Sequence, residues 1–218
     1  MALRFGAELL LVATILYYPV CIQGQAKHGN ERVFYIATTD IVWDYAPLGR
    51  NGITGQPFDE NGPEAEFVLP GPNRIGREYK KAVYREYTDD TYTEQIPPPE
   101  WHGLLGPLLH AEVGDVIKIH FKNLASYPFT MHPHGVFYRK DSEGALYTDG
   151  TKGADKLDDM VPPGANHTYT WEVPKRAGPT DDGPNCIPWQ YHSHFRAGIE
   201  TNSGAVGAMV ICRKGEYF

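Results

Sequence analysis

Residues 116–121, Val116-Ile117-Lys118-Ile119-His120-Phe121, place apolar side chains at every second position from Ile117. That is the period of a strand with one face buried. The wider segment 104–121 carries two apolar runs flanking Glu112-Val113-Gly114-Asp115. Residues 33–45, rich in β-branched and aromatic side chains, predict a first strand, and the aromatics and threonines of 79–92 suit strands before Pro97-Pro98-Pro99 ends regular structure. Further strands are predicted over 130–138, 168–173, 189–194 and 205–212. Residues 50–77, crowded with Gly, Pro and Asn, predict a long surface connection. Many short strands separated by turn residues, with no internal repeat, predict one all-β sandwich or barrel sharing a single core, from residue 27 to residue 218.

The N-terminal segment stands outside this pattern. Arg4 gives one positive charge, residues 9–20 form a short apolar run, and Gly24-Gln25-Ala26 offers small residues for cleavage. Residues 1–26 therefore read as a secretory signal peptide, with an uncleaved membrane anchor as the alternative. No second apolar run follows, so membrane association is not otherwise indicated, and the expected location is extracellular.

Charge narrows the partners. The formal net charge is −7, and losing Arg4 and Glu8 together with the signal leaves it unchanged. An acidic chain argues against nucleic acid and anionic membranes, and it tolerates metal cations. Cys21 would leave with the signal. Cys186 and Cys212 then remain, and in an exported protein they most simply form one disulfide, a pair of buried free thiols being the alternative. Asn166-His167-Thr168 is a glycosylation sequon, a short pattern that export makes usable.

The candidate chemistry lies in His132-Pro133-His134 and His192-Ser193-His194. In an extended chain, residues i and i+2 point to one side, roughly 6–7 Å apart. A pair spaced this way reaches two neighbouring metals more readily than it chelates one. Imidazole suits copper, zinc, iron and nickel, so the spacing alone does not select among them, and isolated surface histidines remain the alternative. Pro133 has no N–H for a sheet ladder, which predicts a strand end or edge for the first pair. His28, His102, His110, His120 and His167 have no such spacing and read as structural or solvated.

Five segments recur in order: Trp43-Asp44-Tyr45-Ala46-Pro47, Gly103-Leu104-Leu105-Gly106-Pro107, Ala111-Glu112-Val113-Gly114-Asp115, His132-Pro133-His134-Gly135 and Tyr191-His192-Ser193-His194. Together they resemble the first cupredoxin (plastocyanin-like) domain of the ceruloplasmin/hephaestin-type multicopper ferroxidases, across essentially the whole chain after residue 26. Blood-coagulation A domains share much of this framework, so the histidine pairs carry the distinction. The resemblance implies a cupredoxin-like Greek-key sandwich. It also implies copper in half of a trinuclear cluster, with His132 at the type 2 position and His134, His192 and His194 at type 3 positions. A complementary cupredoxin domain, on another chain or a longer form, would complete the cluster. The family substrate is Fe(II), with dioxygen reduced to water.

A type 1 copper in such a domain needs ligands at positions matching Phe129, Ser193, Gly198 and Ser203, and none of these is a ligand residue. The resemblance further implies calcium near Asp155, Asp158 and Asp159, with a backbone carbonyl from Lys140; a solvated acidic loop is the alternative. The segment Phe195-Arg196-Ala197-Gly198-Ile199 departs from the family's aspartate- and proline-containing stretch. Three functions stay open at this point: a ferroxidase component needing partner domains, a secreted copper-binding domain, and an interaction module without turnover.

Overall fold

The computed structural model describes residues 29–216. The signal segment 1–26, Cys21 and His28 lie outside the described residues. Among the described residues, nine strands form two sheets. The first has the order β2-β1-β4-β7-β6, with β1 at Glu31–Asp44, β2 at Glu78–Tyr87, β4 at Val116–Asn123, β6 at Phe137–Tyr138 and β7 at Asn166–Glu172. The second has the order β3-β9-β8-β5, with β3 at Leu109–Glu112, β5 at His132–Pro133, β8 at Cys186–His192 and β9 at Val206–Cys212. Pairing is antiparallel except for β1 with β4 and β3 with β9. This is the all-β cupredoxin architecture.

Alternation explains the sandwich. Along β4, Ile117, Ile119 and Phe121 are fully buried while Lys118 and His120 face outward. They meet Tyr84, Tyr169, Trp171, Tyr191, Met209 and Ile211 in one core between the sheets. Each fully buried aliphatic or aromatic side chain contributes about 1.5–3 kcal/mol relative to exposure. Cys186 and Cys212 stand opposite each other at the β8–β9 margin and are disulfide-bonded.

Two features differ from the sequence pattern. Residues 130–138 form two 2-residue strands in different sheets, not one strand. Pro133 cannot extend a ladder, and Gly135 turns the chain with φ +81° where a Cβ would run into the Trp189 ring. The segment after His194 contains a helix, α2 at Ala197–Ser203, ended by Gly204 at φ +119°. The long connection 50–77 is mostly irregular as expected, with a single four-residue helix, α1, at Ala65–Val68.

Candidate metal centre

The two His-x-His pairs meet at the edge of the second sheet. His132 lies directly opposite His192, and Pro133 opposite Tyr191, in the β5–β8 pair. The intervening residues, Pro133 and Ser193, are both buried, as is Tyr191 before the second pair, so both histidines of each pair share the outer face. Just past β5, the His134 N–H donates to the Gln190 carbonyl at 2.9 Å. Beyond β8, the His194 N–H donates to Thr130 Oγ1 at 2.9 Å. Thr130 Oγ1 in turn donates to the Gly144 carbonyl, and the buried Ser193 Oγ accepts the Thr130 N–H. The site's walls are therefore tied to the core by buried, satisfied polar groups.

The four rings form one group. The His132 ring centre is 5.3 Å from His134, 5.6 Å from His192 and 5.0 Å from His194. His192 is 5.1 Å from His134 and 5.4 Å from His194. The Nε2 atoms of His134 and His192 are 2.9 Å apart. No three His, Cys, Asp or Glu side chains close around a single ion position among the described residues. The histidines instead spread over a face.

Hydrogen bonds assign the ring protons. His132 Nδ1–H donates to the Glu143 carbonyl at 2.6 Å, and His192 Nδ1–H to the Ser193 carbonyl at 2.9 Å. Each ring then keeps its Nε2 lone pair for a ligand, the arrangement in which a carbonyl behind a histidine fixes its tautomer. The proton between His134 and His192 consequently rides on His134 Nε2. Burial first, and then the neighbouring imidazoles, lower the His132 pKa from the ordinary 6.5 to about 4 against the raising effect of the Glu143 carbonyl. Burial also lowers His134, reinforced by His192 and His194. Neutral imidazole is the form that binds metal.

The four type 1 positions are occupied in other ways. Phe129 is in the core, Ser193 holds the Thr130 amide, and Gly198 and Ser203 belong to α2. Ser203 Oγ bonds to the Glu200 carbonyl at 2.6 Å.

The acidic group divides. Asp159 is 1% exposed and holds two ammonium groups, Lys140 Nζ at 2.8 Å and Lys156 Nζ at 2.7 Å. Asp158 is fully buried. Its Oδ2 accepts the Gly144 N–H at 2.7 Å, and its Oδ1 has no hydrogen-bond partner among the described residues. Burial raises its pKa. Asp155 is exposed on a short 3-10 turn. Lys140 thus meets this group through its side chain, where the resemblance implied its carbonyl. Asn166 is exposed at the start of β7.

The remaining described histidines are engaged elsewhere. His120 stacks on Tyr35, His110 packs edge-on against Phe34, His102 lies against Trp101, and His167 bonds to the Asp141 carbonyl. Sequence reasoning missed Glu143 and Thr130 as supports of the site. Glu143 orients His132 through its backbone, which no side-chain pattern reports.

Residues 102–216 match the family model of multicopper oxidases. Human hephaestin is 51% identical over 191 residues, covering 88% of this chain and 16% of hephaestin. The human ferroxidase HEPHL1 is 55% identical over 184 residues, with coverage of 84% and 16%. Human ceruloplasmin is 40% identical over 186 residues, with coverage of 85% and 17%. The chain spans about a sixth of the length of the curated relatives it matches. A solved multicopper oxidase from Campylobacter jejuni aligns over 88% of this chain and 28% of its own, at 17% identity and a TM-score of 0.48.

Proposed function

The chain belongs to the multicopper oxidase family, and from that premise we propose that it supplies one half of a trinuclear copper cluster to a ferroxidase. The observation that carries this reading is the convergence of His132, His134, His192 and His194 on one face, with the Nε2 atoms of His134 and His192 2.9 Å apart. The donor set suits copper: four imidazoles, two of them locked by backbone carbonyls with Nε2 outward. By resemblance, His132 takes the type 2 role and the other three take type 3 roles. Bound copper supplies the one-electron steps by which electrons from Fe(II) reach dioxygen and give water.

The chain's own part is positional. The Glu143 and Ser193 carbonyls hold two rings, and the Thr130 hydroxyl anchors the backbone at His194. For His134 to offer Nε2, its proton must shift to Nδ1. A complementary cupredoxin domain provides the remaining ligands and the electron-entry copper. Export fits the layout of residues 1–26 and the Cys186–Cys212 bond, and the exposed Asn166 is then open to glycosylation. Copper titration of the purified chain tests the reading. Binding with nitrogen hyperfine structure in electron paramagnetic resonance is expected, with loss in the His134→Ala/His192→Ala double variant and retention in His28→Ala. Unchanged binding in the double variant would overturn it.

Calcium is a second reading, favoured by one observation. Asp158 Oδ1 is buried without a hydrogen-bond partner among the described residues, beside Asp159, a position where a cation would satisfy it. Calcium would have to displace Lys140 Nζ from Asp159, with the Lys140 carbonyl as a further oxygen donor by resemblance and Asp155 at the margin. Added calcium should then raise the melting temperature of the wild type and leave Asp158→Asn unaffected. No shift in the wild type would dismiss this site.

A further inference from the structure

Behind His132, two hydrogen bonds share one peptide unit. The His132 Nδ1–H donates to the Glu143 carbonyl at 2.6 Å, and the N–H of that same peptide, on Gly144, donates to Asp158 Oδ2 at 2.7 Å. The carbonyl and the N–H of a trans peptide point in opposite directions. One peptide therefore stands between the imidazole and the carboxyl group, accepting from the first and donating to the second. His192 is backed differently, since its Nδ1–H goes to the carbonyl of its own neighbour Ser193 at 2.9 Å.

Both ends of this relay are fixed. Gly144 sits at φ +67°, and a Cβ there would come within 2.2 Å of the Met131 carbonyl oxygen, so the turn lies directly on the backbone that leads into His132. The Gly144 carbonyl accepts from Thr130 Oγ1 at 2.6 Å. The Asp158 carbonyl accepts from the Tyr169 hydroxyl at 3.1 Å, and the same hydroxyl takes the Met131 N–H at 3.2 Å. Asp158 itself is fully buried, and its Oδ1 has no hydrogen-bond partner among the described residues. Burying an ionised carboxylate is costly. A neutral amide oxygen would staple the Gly144 N–H without that cost, so closing the loop does not by itself account for an acid here.

We propose that Asp158 is a positioning residue for His132, acting through the Glu143–Gly144 peptide. Its negative charge polarises the peptide and makes the Glu143 carbonyl a stronger acceptor, as in any chain of hydrogen bonds in a low-dielectric interior. The ring proton is thereby held on Nδ1, and Nε2 becomes the more electron-rich donor. A carboxylate bonded directly to a ligating histidine has this effect; here one peptide is interposed. What Nε2 donates to rests on the copper reading above, whereas the relay exists in the metal-free chain.

The relay is measurable before any metal is added. In chelator-treated, isotope-labelled protein, NMR scalar couplings across hydrogen bonds should connect His132 Nδ1 with the Glu143 carbonyl carbon, and Gly144 N with Asp158 Cγ. The Asp158 Cγ shift at neutral pH should be that of a carboxylate. Either coupling missing, or a protonated Asp158, would overturn the proposal without recourse to any variant. Asp158→Asn then separates charge from shape, because its amide oxygen can still accept the Gly144 N–H. The His132 Nδ1–H and Gly144 N–H resonances should move upfield, and copper affinity should fall by roughly tenfold. Resonances unmoved, or copper bound as tightly as by the wild type, would reduce Asp158 to a loop staple. A wild type that binds no copper would sink the half-site reading and with it the ligand role of Nε2, while the couplings and the resonance shift still decide whether Asp158 holds His132.

Discussion

His132 is held neutral by burial, and this gives the copper-free domain a pH-dependent stability. Its folded pKa of about 4 lies below the ordinary 6.5. Between these values the unfolded chain binds more protons, so stability rises with pH there. The contribution is complete above about pH 6.5 and is lost as pH falls toward about 4. Urea midpoints of the copper-free chain should drop between neutral pH and about pH 5, and His132→Ala should remove part of that drop; an unchanged slope would contradict the assignment. Ser193 gives a second test. Ser193→Cys should yield no intense blue absorption with copper, because Phe129, Gly198 and Ser203 supply no further ligands, and exchanging the good acceptor for Thr130 N–H should cost about 1 kcal/mol in a denaturation curve. At this scale the sequence was informative. The i, i+2 spacing announced the shared face of the histidines. Glu143 stayed hidden because its contribution is a carbonyl, which every residue has.

Elements were legible where one face is buried. β4, β7 and β9 follow from alternation because their inner residues have nowhere to go but the core. The segment 130–138 was not, because Pro133 and Gly135 override its apolar and aromatic content and send its ends to different sheets. α2 escaped for another reason. Its seven residues include Gly198, Thr201 and Asn202, poor helix formers, so packing against β2 and not propensity sustains it. Gly135→Ala should lower stability by about 1–3 kcal/mol, since it combines a positive φ with a Cβ driven into Trp189. A melting temperature equal to wild type would refute that account. Reducing Cys186–Cys212, which closes 26 residues of sequence, should cost about 3 kcal/mol, read as a lower denaturant midpoint with an unchanged histidine site.

At the scale of the molecule, the proposed half-site sets a limit. The copper-loaded chain, demonstrably monomeric, should oxidise Fe(II) no faster than the uncatalysed reaction, since it offers four imidazoles and no type 1 ligands. Robust turnover lost in His192→Ala would show that the isolated domain is catalytically sufficient. The single-core sandwich was legible from the spacing of turns and strands, whereas the order of strands in each sheet was not, because it depends on pairings between distant segments. That order constrains biosynthesis. β9 lies between β3 and β8, yet the ribosome makes it after both. Until it emerges, β3 has no partner and β8 exposes a long edge, while Cys186 waits through 26 residues of elongation for its mate. The nascent second sheet is thus an open template for foreign strands during translation, and the histidine wall of β8 cannot become rigid before the sheet's centre has been delivered.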